Sequence, residues 1–219
     1  MTPHIQPLGD AALHILFGEG IDVRINRRVH AAFRRLRQAP LPGVVDWVPA
    51  YASLTLILDP LAVLHGQVSV AMVQASLPPL LEDLPIDDRE GRTVELPVRY
   101  GGDTGPDLLR VAQHTGLSVD EVVHRHSSGV YHVYFLGFCP GFAYLGGLDA
   151  QLATPRLDTP RVSVPAGSVA IGGAQTAVYP QATPGGWNLI GHCPEPLFDP
   201  ERDVPCRLAP GDRLRFRPF

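Results

Sequence analysis

Between Tyr134 and Gly191 the chain concentrates Gly, Pro and aromatic residues in a way that the rest of its 219 residues does not: YFLGFCPGFAYLGGL is followed by VSVPAGSVAIGGAQTAVYPQATPGGWNLIG. Glycine permits positive φ and close approach of a second molecule, and proline fixes the turns beside it. Many such residues between short apolar runs therefore describe rigid loops set on a β scaffold. From Val130 onward the runs VYHVYFL, VSVPAG, SVAIGG, TAVYP, WNLIG and DRLRFRPF, separated by Gly/Pro turns, predict a small β-barrel. Loops carried on such a scaffold are where a functional site is expected.

The first half follows other periods. Leu13, Ile15 and Phe17 share one face of a strand. From Asp22 to Gln38 the apolar positions Ile25, Val29, Ala32, Phe33 and Leu36 have helical spacing, with arginines on the solvent face. Val44 to Tyr51 and Leu54 to Leu58 read as a strand pair, and a second helix runs from about Gln67 toward Leu77, ended by Pro78-Pro79. With a last strand near Thr93 to Tyr100 the order is βαββαβ, the split βαβ or ferredoxin-like arrangement. The acidic linker LEDLPIDDREG puts a boundary near Asp87 to Gly91, dividing an α+β domain (1–88) from the barrel domain (89–219). Two short helices, about Asp107 to Thr115 and Val119 to His126, precede the barrel strands. The second carries a capping box of Ser118 and Glu121 and a staple of Leu117 on Val122.

Composition excludes several function classes. The net charge is −4, and beyond Arg34, Arg35 and Arg37 no basic block exists, so no nucleic-acid partner is expected. The start, MTPHIQPLGD, lacks the charged and apolar regions of a signal peptide, and no apolar run approaches the roughly 18 residues of a membrane span. A soluble, cytoplasmic protein without a membrane partner is expected. Cys139, Cys193 and Cys206 are an odd count without CxxC spacing, which favours reduced thiols over a disulfide framework or a zinc ribbon. All 18 basic residues are Arg, which removes Schiff-base and phosphate-clamp lysine chemistry. No GxxxxGK[ST], GxGxxG or HExxH pattern occurs, so this chain shows no nucleotide motif, and no metal is expected.

The motifs GFCPGFAYLGGLD, LATPR, TPRVSVPAGSVAIGGAQTAVYP, PGGWNLIG, LFDPERD and LAPGDRLRF, in this order, cover most of the second half. In them the chain resembles the carboxyltransferase-domain family (subdomains C and D). That family includes the B subunit of bacterial 5-oxoprolinase, the sporulation-kinase inhibitors and the protein labelled allophanate hydrolase subunit 1. The resemblance implies a cyclophilin-like form for the barrel. Membership of an oxoprolinase would further imply partnership with its A and C subunits, a small-molecule substrate, and ATP used by the complex to open the 5-oxoproline lactam to glutamate. Phosphorylating the lactam carbonyl oxygen would turn a weak electrophile into one that water can attack, at a site shared with the C subunit. Two other roles follow from the same family: docking on the dimerisation helices of a sensor histidine kinase as its inhibitor, and membership of a urea- or allophanate-processing carboxyltransferase or hydrolase.

The candidate site residues are Arg161, Pro165, Gln175, Tyr179, Trp187, His126 and His192. An amide, a phenol and an indole on adjacent barrel segments would surround a small polar ligand, and Arg161 would bind its carboxylate bidentately. The alternative is that Tyr179 and Trp187 fill the barrel and Gln175 satisfies a backbone group. His126 follows His124 at i+2, so the two point apart on a helix and make a poor metal pair; His126 reads as a structural hydrogen bond or a pocket residue. The family commonly carries arginine where this chain has His192, and an unperturbed histidine is largely uncharged near neutral pH. The paired glycines Gly172-Gly173 and Gly185-Gly186 read as turns or, alternatively, as amides for an anion. Cys139 reads as a small filler rather than a nucleophile, because His132, seven residues earlier, is roughly 23 Å away along an extended strand.

Overall fold

The computed structural model describes residues 2–39, 41–85 and 91–219. The chain divides into two compact units, residues 1–89 and 90–219. The boundary expected near Asp87 to Gly91 falls, apart from Gly91, outside the described residues.

The first unit contains β1 (His4–Pro7), β2 (Ala12–Leu16), α1 (Val23–Gln38), β3 (Val44–Pro49), β4 (Ser53–Leu58) and three short helices, α2 (Pro60–Leu64), α3 (Val70–Ser76) and α4 (Pro78–Leu81). Helix α1 begins where the Asp22 carboxylate accepts the amides of Arg24 (2.7 Å) and Ile25 (3.1 Å), which would otherwise be unpaired. Its apolar stripe, Val29, Ala32 and Leu36, packs with Leu13, Ile15, Leu54 and Leu56 of the sheet, all buried. Each such Leu or Ile contributes roughly 1.5–3 kcal/mol by leaving water. The sheet order is β1-β2-β4-β3 with every neighbour antiparallel. Strands β2 and β3, joined through α1 with β4 between them, form the expected split βαβ.

Two expectations for this unit need correction. The strand Thr93 to Tyr100 does not complete its sheet. Leu96 and Val98 alternate into the core of the second unit instead, and the edge beside β2 is taken by β1. The prolines at 3 and 7 hid β1 from the alternation pattern, but an edge strand tolerates proline because one side of it has no ladder to supply. The second correction concerns Gln67 to Leu77. Its helix starts at Val70, where Ser69 Oγ accepts the Met72 amide at 3.2 Å, and Pro78-Pro79 opens α4 rather than closing structure. Proline suits a first turn, whose N–H groups lack partners in any case.

The second unit runs β5 (Thr93–Tyr100), α5 (Leu108–Thr115), α6 (Val119–Ser128), β6 (Tyr131–Leu136), β7 (Ala143–Gly146), β8 (Arg161–Val164), β9 (Ser168–Gly172), β10 (Gln175–Val178), β11 (Thr183–Gly185), β12 (Asn188–His192) and β13 (Arg213–Pro218). Seven strands form one sheet in the order β10-β9-β12-β5-β13-β6-β7. Its end strands β10 and β7 lie side by side, so the sheet is nearly closed as the expected barrel. Strands β8 and β11 form a separate two-stranded ribbon. Leu96, Val98, Ile171, Ile190, Leu214 and Phe216 belong to the core, to which α5 and α6 add Val111 and Val122. The start of α6 is capped as expected in one direction, Glu121 N donating to Ser118 Oγ at 3.1 Å. The reciprocal half of the capping box is replaced: the Glu121 carboxylate pairs with Arg125 at 2.6 Å, one helical turn on.

Candidate functional site

A cavity of about 210 Å³ opens on the barrel beside the β8–β11 ribbon. Its aromatic wall combines Phe142 and Tyr144 with Tyr179, just after β10, and Trp187, just before β12. These rings meet edge to face: Phe142 on Tyr144 at 5.2 Å, on Tyr179 at 5.7 Å and on Trp187 at 6.2 Å between centroids. That is the preferred geometry of aromatic quadrupoles, which fixes ring orientation as well as burying area.

Two glycines make the wall possible. A Cβ on Gly172 would lie 2.5 Å from the Trp187 ring, and one on Gly185 would lie 2.6 Å from Tyr179 Oη. Gly172 lies at the end of β9, not in a turn, and only Gly173, at φ +61°, has turn geometry. The glycine pairs thus serve as space for rings more than as turns.

Tyr179 is 3 % exposed and Trp187 is 7 % exposed, yet among the described residues neither Tyr179 Oη nor Trp187 Nε1 has a hydrogen-bond partner. Neither atom is among the fully enclosed unpaired side-chain atoms, so both donors are open to the cavity and available to a ligand that enters it. Burial pushes the Tyr179 phenol up, opposed by the nearby charges of Arg156 and Arg161, and the group is a neutral donor at physiological pH.

Arg156 lies at the rim, exposed, with its guanidinium 5.5 Å from the Trp187 ring centre and no carboxylate partner among the described residues. Its backbone is pinned on three sides. Thr154 and Gly173 exchange two backbone bonds at 3.1 and 2.7 Å, Asn188 Nδ2 donates to Pro155 O at 2.9 Å, and Leu157 N donates to Gly186 O at 2.7 Å. Phe138, 63 % exposed, also lines the cavity and has φ +65°, a conformation strained for a bulky side chain.

Of the seven candidate site residues, two, Tyr179 and Trp187, line this cavity, together with the Gly185-Gly186 pair. Arg161 is engaged within the fold: its Nη2 lies 2.8 Å from Asp107 Oδ1, while Asp107 Oδ2 accepts the Leu189 amide at 2.7 Å. A register shift in β12 between Leu189 and Gly191 interrupts the ladder there, and the buried Asp107 carboxylate meets that amide. Pro165 is exposed in a turn and accepts from Ser168 N at 3.3 Å. Gln175 is half-buried, paired opposite Gly172 at the start of β10.

His126 takes the structural alternative. It is fully buried, stacked on Phe216 at 4.6 Å, with Nδ1 2.7 Å from Tyr100 Oη and Nε2 2.8 Å from Thr176 Oγ1. Thr176 donates its own proton to Ala170 O at 3.0 Å, so Nε2 carries the hydrogen and Nδ1 accepts from Tyr100. Burial holds its pKa down to about 3. His124 is exposed on the same helix, and no metal-binding cluster occurs among the described residues.

His192 lines a second cavity of about 210 Å³ with Ala166, Tyr179 and the Pro194 to Leu197 segment, its Nε2 3.1 Å from Ala166 O. Cys139 packs against the aromatic cluster, and burial raises its thiol pKa, the reverse of what a nucleophile requires. Arg156, Phe138, Phe142 and Asp107 escaped the sequence reading. Arg156 was within reach of it, because LATPR is one of the motifs that carry the resemblance.

Comparison with known proteins agrees with this architecture. The chain is 44% identical over 221 residues to the 5-oxoprolinase B subunit of Bacillus subtilis, covering 97% of this chain and 91% of that one. It is 46% identical over 212 residues to the 5-oxoprolinase B subunit of Escherichia coli O157:H7, covering 96% and 94%. The crystal structure of TTHA0988 matches with a TM-score of 0.81 at 41% identity, covering 96% of this chain and 40% of that longer chain. The family model "Carboxyltransferase domain, subdomain C and D" matches residues 3–208, and the chain belongs to that family.

Proposed function

We propose that this chain is the B subunit of an ATP-dependent 5-oxoprolinase, working with homologues of the A and C subunits, and that its barrel cavity forms one wall of the site where 5-oxo-L-proline is opened to L-glutamate. The observation that carries the reading is the pair of unpartnered donors on nearly buried side chains, Tyr179 Oη and Trp187 Nε1, on a cavity wall in a chain whose full-length relatives are named as the B subunit. At about 210 Å³ the cavity is smaller than the roughly 300–1,000 Å³ of sites for drug-sized ligands, which restricts it to a small molecule.

The lining is a binding surface rather than a set of reacting groups. Among the described residues it offers aromatic rings, one guanidinium and backbone, with no carboxylate, histidine or thiolate to act as base or nucleophile. The bond-breaking groups are therefore assigned to the partner proteins of the complex. A nucleoside triphosphate does not fit this cavity, since three phosphates require several cationic or amide donors and Arg156 is the only cation lining it among the described residues. The nucleotide is assigned to the rest of the complex.

The test is co-expression with the A and C homologues of the same genome, measuring ATP-dependent glutamate release from 5-oxoproline with and without this chain. Release that needs this chain supports the reading. Release that is indifferent to it overturns it.

A further inference from the structure

We infer that Arg156 is the specificity-determining residue of the barrel cavity, and that this chain by itself binds a small cyclic carboxylate whose ring carries a carbonyl oxygen. The inference rests on the reading of the chain as part of an oxoprolinase, and goes beyond it by naming which groups recognise which part of the ligand.

The cavity has an ordered polarity. At its rim lies a guanidinium with no carboxylate partner among the described residues. Arginine is always protonated, and its planar fork matches a carboxylate bidentately, so an Arg that rests on an aromatic ring without an anion partner at a cavity mouth favours an anion there. Arg161, by contrast, already has its anion in Asp107. Two cations thus lie near one cavity, and of the two Arg156 is the one left to read a ligand.

On the wall, Tyr179 Oη and Trp187 Nε1 are neutral donors on nearly buried side chains, and both lack a partner among the described residues. Neutral donors suit a neutral acceptor such as a lactam carbonyl, whereas an anionic group would draw the guanidinium instead. Between rim and wall the surface is Phe142, Tyr144 and Pro184, which would cover the apolar methylenes of a small ring. A charged ammonium, as in proline itself, would face an arginine and aromatic edges with no carboxylate to pair it.

Pre-organisation supports a site already formed in the lone chain. The Arg156 backbone is held by the Thr154–Gly173 bridge, by Asn188 and by Leu157, and its guanidinium rests over Trp187. The Trp187 ring is packed against Gly172, where a Cβ would lie 2.5 Å away. Such a site orders few groups when the ligand enters.

The experiment uses the full chain alone, without partner proteins or ATP. The protein has two tryptophans, so a Trp47→Phe background leaves Trp187 as the sole tryptophan reporter of intrinsic fluorescence. Titration with 5-oxo-L-proline is expected to change that fluorescence saturably. 2-Pyrrolidinone, which lacks the carboxylate, and L-proline, which lacks the ring carbonyl, are each expected to bind about tenfold or more weakly, the loss typical of a charge-assisted or buried hydrogen bond. Arg156→Gln is expected to weaken 5-oxoproline by about tenfold or more and to leave 2-pyrrolidinone unchanged.

Equal affinity for 5-oxoproline and 2-pyrrolidinone in the parent chain overturns the inference without recourse to any variant. So does an equal loss of both ligands in Arg156→Gln, or no saturable binding of 5-oxoproline. None of these results touches the co-expression assay: turnover that depends on this chain while the lone chain binds nothing keeps the oxoprolinase reading and discards this one. Selective binding by a chain that turnover does not require does the opposite.

Discussion

Tyr100 Oη donates to His126 Nδ1 at 2.7 Å inside the barrel, and His126 Nε2 passes the chain on to Thr176 and from there to the Ala170 carbonyl. The four residues come from β5, α6, β10 and β9, so one neutral imidazole joins four elements of the second unit.

That arrangement makes stability depend on pH with a defined sign. Burial lowers the His126 pKa to about 3 in the folded chain, against an ordinary value near 6.5. Between those limits the unfolded chain binds a proton that the folded chain refuses, so stability is full above pH 6.5 and falls as the medium is acidified. The loss is up to about 1.4 kcal/mol per pH unit. Asp22, Glu95 and Asp149, whose carboxyls are also held low, add their own loss only as pH falls through the ordinary carboxylate range. The interval from about pH 6.5 to 5.5 therefore reports the histidine ahead of those carboxyls. Urea midpoints across it should fall steeply for the parent chain and much less for His126→Gln, which keeps a polar side chain but cannot take up the proton. Parallel slopes would contradict the assignment.

Gly172→Ala should damage the aromatic wall directly. The new methyl would meet the Trp187 ring at 2.5 Å, in a buried position at the end of β9, where the strand runs between β10 and β12. Overpacking of this kind costs about 1–3 kcal/mol. Gly173→Ala is the control: its Cβ meets nothing within 4 Å, and the only penalty is its positive φ of 61°. Denaturant melts should show loss of stability in both variants, but only Gly172→Ala should shift the Trp187 emission maximum.

The coarse architecture was legible because it rests on periodicity. Alternation at Leu13, Ile15 and Phe17, the α1 stripe and the short runs after Val130 are burial patterns, and burial is what drives those elements together. The strand at Thr93 to Tyr100 was legible as a strand and assigned to the wrong sheet, since Leu96 and Val98 look the same whichever core receives them. The lining of the candidate cavity was partly legible. Tyr179 and Trp187 stand out by type, but choosing between Arg156 and Arg161 depends on Asp107, which lies 54 residues before Arg161 in the chain and beside it in space. His126 carried its own ambiguity, because burial of an imidazole is decided by Tyr100, Thr176 and Phe216, all distant in sequence.

Asp107 and Arg161 should be unequal partners when cut separately. Arg161→Gln removes the ion pair to Asp107 and a long 3.5 Å bond to Trp187 O from a side chain that is 30% exposed, and the Asp107 carboxylate keeps the Leu189 amide. Asp107→Ala removes both carboxylate bonds at once and strands the Leu189 N–H at the β12 bulge. Breaking the buried pair from the Asp107 side should cost about 3 kcal/mol, and the Arg161 change distinctly less. Chemical denaturation of the two single variants and the double variant provides the check. The double variant should be hardly worse than Asp107→Ala, because Arg161 has lost its anion already.

Phe138 sets conformational strain against a role at the cavity rim, and one substitution separates them. It has φ +65°, where a side chain with a Cβ costs about 1–2 kcal/mol, and its ring is 63% exposed, meeting Phe142 edge to face at 5.3 Å. Exposure means that little burial is lost when the ring is removed. Phe138→Gly should therefore leave the chain as stable as the parent or more so, by up to about 1 kcal/mol, since glycine adopts this conformation without the steric penalty. If the ring serves the cavity, the same variant should bind 5-oxoproline more weakly and lower glutamate release in the reconstituted complex. Gain of stability with loss of function would identify strain retained for the sake of the site. A variant that loses stability would instead make Phe138 a packing residue, and unchanged binding with unchanged turnover would remove it from the cavity's working surface.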